Sequence, residues 1–137
     1  MAEITLSKAR TIIRSALKHA RDKEIKPIAV VVLDAGGHLK ALEREDGASF
    51  YRFRVAHGKA HGAIGLGLGS RALHARAEAQ AYFTLAVGAL EDTAVVPVPG
   101  GVLVRDRRGA IIGAVGISGD VSDADEAAAV AGIEAAG

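Results

Sequence analysis

Residues 97–102 read Pro97-Val98-Pro99-Gly100-Gly101-Val102, and residues 112–120 read Ile112-Gly113-Ala114-Val115-Gly116-Ile117-Ser118-Gly119-Asp120. Between and within them, Val102–Arg105 and Ala110–Ile117 are two apolar runs joined by the polar turn Asp106-Arg107-Arg108-Gly109, which predicts a hairpin. An earlier hairpin has the same form. Ile28–Leu33 is a continuous β-branched run that reads as a strand covered on both faces. Asp34-Ala35-Gly36-Gly37 is its turn, and His38–Arg44 is a half-polar return strand. Two hairpins imply an antiparallel sheet, and helices have to cover its faces.

Glycine is used here in a way a plain core does not need. Two glycines inside an apolar strand signal a close approach to the backbone, and a Gly-Gly pair after Pro99 fixes an unusual chain path. The only other region of this texture is Asp34–His38. The expectation is that the two glycine loops meet in one site and offer backbone N–H groups to an anion or carboxylate. Gly36-Gly37 also fits a tight hairpin turn with no further role.

The flanking segments are helical. In Leu6–Ala20 the apolar residues Leu6, Ala9, Ile12, Ile13, Ala16, Leu17 and Ala20 form one helical face, with Thr5 as N-cap. Phe50–Leu66 reads as a second helix, with Ala56, Lys59, Ala60 and Ala63 on one stripe. Arg71–Ala89 is rich in helix formers and predicts a single third helix. A last helix starts near Ser122, where Ser122 and Asp125 resemble a capping box. The fold class is therefore α+β, an antiparallel sheet between helical layers.

A chain of 137 residues reads as one domain, residues 1–137. Half of its residues are hydrophobic but only 4% are aromatic, so the core is built from Ala, Val, Ile and Leu. A net charge of +1 gives no pull toward nucleic acid or a membrane surface. Without cysteine there is no disulfide or thiolate chemistry. The stretch Met1–Leu6 lacks the basic-then-apolar pattern of a signal peptide, and no run of about 18 apolar residues occurs. These features predict a cytoplasmic protein.

Several side chains stand out. Lys59 on a stripe of alanines needs a partner if that stripe faces the sheet, because an unpaired buried ammonium is costly. Either it snorkels to the edge, or it meets an acid such as Asp34, or it meets a ligand carboxylate. His38, just after the Gly-Gly turn, is a candidate general base or haem ligand. His57 and His61 lie four apart on a helix, but no third ligand is suggested and no metal is expected. Gly65-Leu66-Gly67-Leu68-Gly69 follows a helix, which suits a helix end rather than a dinucleotide loop. Asp125 opens the last helix, where an acid favours the helix dipole. It takes a functional role only if it faces Gly100-Gly101.

Together these pieces resemble the GlcG/HbpS family, also called haem-degrading, and the C-terminal domain of PduO-type proteins. The matching segments are Val32–Leu39, Ala41–Arg44, Ala56–Ala60, Pro97–Val102, Ile112–Gly119 and Asp125-Glu126, in the family's order. The resemblance implies a profilin-like fold and homo-oligomers, octamers among them. It also brings haem binding in some relatives and glycolate-utilisation loci in others. The chain departs from the pattern at Gly62, where relatives carry threonine, and at Leu103, where they carry proline.

The resulting expectation is a small-ligand protein that takes haem or a small organic acid. Gly36, Gly37, Gly100 and Gly101 would donate backbone N–H groups, with Pro99, Ser118 and Asp125 beside them. Lys59 or Arg44 would supply counter-charge, and His38 an acid/base or axial group. The alternatives are a cofactor-independent lyase or isomerase using Lys59, His38 and Asp34 on a carboxylate substrate, and a structural accessory subunit.

Overall fold

A computed structural model describes residues 3–137. Met1 and Ala2, part of the N-terminal stretch read above, lie outside the described residues. The elements run α1 (Leu6–Asp22), β1 (Ala29–Asp34), β2 (Leu39–Arg44), α2 (Arg52–Leu66), α3 (Ser70–Ala79), α4 (Ala81–Gly88), β3 (Gly101–Arg105), β4 (Ile111–Ser118) and α5 (Ser122–Ala136). The four strands form one antiparallel sheet in the order β2-β1-β4-β3. Both hairpins are present, and β1 and β4 pair centrally from Ala29↔Ser118 to Asp34↔Gly113.

Alternation along the central strands divides the core in two. Val30, Val32, Val115 and Ile117 face one side, where they pack with Ile12, Ile13 and Ala16 of α1 and Ala128 and Ala129 of α5. Val31, Leu33 and Ala114 face the other, where Ala56 and Ala60 of α2 meet them. The result is the expected helix–sheet–helix sandwich. Thr5 caps α1 as read, its hydroxyl accepting the Lys8 N–H at 3.1 Å.

The second layer is unusually close. Gly101 on β3 and Gly116 on β4 are cross-strand partners. A Cβ on Gly116 would overlap the carbonyl oxygen of Ala56, and one on Gly101 would overlap that of Lys59. The backbone of α2 therefore rests directly on a paired-glycine floor. The strand glycines do mark a close approach, and the group that approaches is the protein's own helix.

Two local expectations are corrected. The segment Arg71–Ala89 is two helices, broken at Gln80, whose φ of −144° and ψ of 68° are not helical. No proline or glycine encodes the break. It turns α4 so that the ring of Phe83 lies 4.0 Å under the Arg76 guanidinium, a cation–π contact. The capping box is also displaced. Val121 is the N-cap of α5 and carries no side-chain cap, while Asp125 accepts the N–H of Asp120 at 3.0 Å instead.

The glycine floor predicts opposite outcomes for two Gly→Ala changes. Gly116→Ala should lower stability by on the order of 2–3 kcal/mol, because a backbone carbonyl occupies the space. Gly65→Ala, exposed in α2 with open space around it, should raise stability by about 0.4–1 kcal/mol. Urea midpoints read both. A tolerated Gly116→Ala would contradict the packing described.

Candidate functional site

The small-residue stripe of α2 faces the sheet and carries Lys59 with it. Lys59 is 2% exposed and Asp125 1%. The Lys59 Nζ donates to the Ile117 carbonyl at 2.9 Å and to Asp125 Oδ2 at 3.1 Å. Burial pushes the lysine below its ordinary pKa and the carboxyl above its own, while each partner pulls the other back. The acid that Lys59 meets is thus Asp125, on α5, and not Asp34. The pair joins α2, the end of β4 and the first turn of α5.

The Gly100-Gly101 segment wraps this pair. Gly100 has a φ of +130°, and a Cβ there would sit 2.8 Å from the Lys59 Nζ. The Gly101 N–H donates to the Ser70 hydroxyl at 2.6 Å, so it is engaged within the protein. Ser118 is buried and accepts from Arg52 at 3.1 Å. Pro99 borders a shallow groove of about 340 Å³ with Arg71, His74 and Val121. Arg71 is clamped there by Asp123 and Glu126 of α5.

The other glycine loop lies elsewhere. Gly100 is level with Ile117, and through it with Val30, whereas Asp34 is four residues further along β1. That is roughly 13 Å along the strands, with two strand spacings of about 5 Å between them. The N–H groups of Gly36 and His38 both donate to Asp34 Oδ1 at 2.9 Å, and that of Gly37 to the Asp34 carbonyl at 3.0 Å. Partial burial works against ionising Asp34, but the N–H groups of His38 and Gly36, with the His38 ring, outweigh it and hold its carboxyl below the usual range. His38 is exposed, with Nδ1 3.3 Å from the same oxygen. Arg44 is exposed on edge strand β2, in a groove it shares with Arg21, Glu43 and Glu45, and donates to the Ala48 carbonyl. The structure therefore gathers Lys59, Asp125, Gly100, Gly101 and Ser118, and leaves Asp34, Gly36, Gly37, His38 and Arg44 outside that cluster.

An apolar concavity lies on the far side of α2. A cavity of about 460 Å³ lies between α2 and α4, with walls from Leu66, Phe83, Val87, Leu90 and Val95, and His61 on its edge. Gly62 and Gly65 keep the α2 wall low. The His61 Nδ1 contacts the backbone of Ala94, 3.2 Å from its oxygen. The His57 ring stacks on His61 with centroids 5.1 Å apart. Partial burial, and then the neighbouring His61, hold His57 below its ordinary value, which favours the neutral ring. The histidine pair is visible in the sequence but the cavity is not, because α4 folds back over α2 only through the unsignalled break at Gln80.

The sequence model of the family described as haem degrading protein HbpS-like matches residues 4–134. The chain belongs to the HbpS-like family. No curated protein sequence matches it. A double mutant of HbpS from Streptomyces reticuli superposes with a TM-score of 0.86 at 25% identity, covering 100% of this chain and 89% of that one. Protein ORFY of Klebsiella pneumoniae gives 0.88 at 23%, covering 99% and 92%. A PduOC–haem complex gives 0.86 at 24%, covering 98% and 95%. In this HbpS-like chain the Gly100-Gly101 segment and the ion pair interlock within one frame. Among the described residues no helix is long and apolar enough to cross a membrane.

If the ion pair is a mutual support, its loss is non-additive. Lys59→Met and Asp125→Leu should each cost about 3–5 kcal/mol by leaving one buried charge alone, and the double variant clearly less than their sum. Additive losses would refute the coupling. For His57, the lowered pKa makes its contribution complete above pH 6.5 and lost as pH falls through the lowered value. His57→Gln should therefore flatten the stability decline below about pH 6.5, read from denaturation midpoints across pH.

Proposed function

We propose that this protein is an oligomeric haem binder that takes haem in the cavity between α2 and α4. One observation carries the reading: an apolar hollow of ligand size with an imidazole at its edge. Haem asks for a large apolar wall and a neutral nitrogen donor for its iron. Phe83, Val87, Leu90 and Val95 fit the first requirement, and the imidazole of His61, its Nδ1 against the Ala94 backbone and its Nε2 edge beside Gly37 of the hairpin turn, would supply the nitrogen, with the His57 ring stacked on it. Arg76, over the Phe83 ring, is a cation suited to a haem carboxylate. Bound haem would supply iron-centred redox chemistry, and the protein's part is to hold and orient it and to exclude water. The family's description and the haem-bound relative PduOC support the same ligand.

On this reading Lys59, Asp125, Ser118, Gly100 and Gly101 are the frame of the site rather than its ligand contacts. The proton-transfer alternative has less support. Its base Lys59 is engaged by two protein acceptors, and its other candidates, His38 and Asp34, stand apart from Lys59.

Haemin titration tests the proposal. A saturable Soret shift should appear and should weaken at least tenfold in His61→Ala. It should be blocked in Val87→Trp, which fills the cavity, and persist in His38→Ala. Loss in His38→Ala with retention in His61→Ala would move the ligand to the hairpin turn. No specific shift at all would end the haem reading.

A further inference from the structure

The chain has five aromatic residues, and none belongs to the buried core. Three of them fall in Phe50-Tyr51-Arg52-Phe53-Arg54, at the start of α2. Phe50 is 69% exposed, and its ring lies against Tyr51 at 4.8 Å. Arg54 sits over the Phe53 ring at 5.7 Å. This makes an aromatic knob carrying exposed positive charge.

Helix α4 is the converse. Its sequence, Ala81–Gly88, is apolar apart from Tyr82 and Thr84, yet among its described side chains the buried one is Thr84. Tyr82 is 70% and Leu85 73% exposed. An all-round apolar helix is ordinarily buried, and a contiguous exposed apolar surface marks an interaction site. Just beyond it, exposed Leu90 leads into Glu91 and Asp92, also exposed, at the mouth of the cavity. This surface is apolar with an acidic rim.

We propose that a second copy of this chain docks its Phe50–Arg54 knob head-to-tail against α4 and the Glu91-Asp92 rim of the first. The rings of Phe50 and Tyr51 cover Leu85 and Leu90, and Arg54 meets the acidic pair. The two surfaces match in apolar character and oppose in charge, which is the complementarity that selects a partner. They lie at separate places on one chain, so the contact is heterologous and repeats until the assembly closes. The neighbour's knob then forms the outer wall that the α2–α4 cavity lacks in one chain. Assembly does not depend on the haem reading, and the two fail separately: one is read as mass without haem, the other as a spectrum.

Complementation is the test. Phe50→Asp/Arg54→Glu spoils the knob, and Leu85→Glu/Glu91→Arg spoils the acceptor. All four positions are exposed, so folding should be unchanged by circular dichroism. By sedimentation without haem, the parent should be a multimer, and each variant alone a monomer. An equimolar mixture should give a species of twice the monomer mass, since one intact knob and one intact acceptor remain. A monomeric parent, variants that keep the parent's mass, or a mixture that stays monomeric would each overturn the proposal.

Discussion

The contact on which the rest of this molecule depends is between two backbones. The carbonyls of Ala56 and Lys59 in α2 lie against the Cα atoms of Gly116 and Gly101, which face each other across β3 and β4. No side chain fits between helix and sheet there. Everything on that stripe of α2 is consequently either small or forced to find its way out. Ala56 and Ala60 are small. Lys59 is the exception, and its stem runs past Gly100 to reach Asp125 and the Ile117 carbonyl.

That placement determines the electrostatics. Two charges removed from water gain little net stability even when well paired, and removing either alone is expensive. The pair's geometric consequence is to tie three elements together. It fixes the approach of α5 to α2 and the end of β4, with Asp125 also engaging the Asp120 N–H at the start of α5. Gly100 is required twice over, for its positive φ and for the space the lysine occupies. A close helix on one face also leaves the opposite face of α2 free, and there α4 completes an apolar hollow with His61 at its edge.

Much of this was legible in the sequence. The β-branched run Ile28–Leu33, the two polar turns and the amphipathic α1 were enough to specify hairpins and covering helices. The strand glycines announced a close approach, but the expected visitor was a ligand, and nothing tied the approach to the alanine stripe of α2. The identity of the approaching group was not legible, since a glycine requires proximity without naming the neighbour. The partner of Lys59 was not legible either. Asp34 and Asp125 are equal as carboxylates, and only the strand order β2-β1-β4-β3 brings α5 within reach. The break at Gln80 carries no local signal, so the cavity that depends on it was invisible. The low aromatic content implies a core without rings, and four of the five rings, those of Phe50, Tyr51, Phe53 and Tyr82, are exposed.

The central claim is that the glycine and ion-pair cluster is frame and the α2–α4 hollow is the site. The most direct measurement is a crystal structure of the protein grown with haemin, using anomalous scattering at the iron edge to locate the metal. The account predicts an iron peak beside the His61 ring, with the macrocycle against Phe83 and Val87 and no change at Lys59 and Asp125. An iron peak beside Gly100 and Pro99, or at His38, would contradict it.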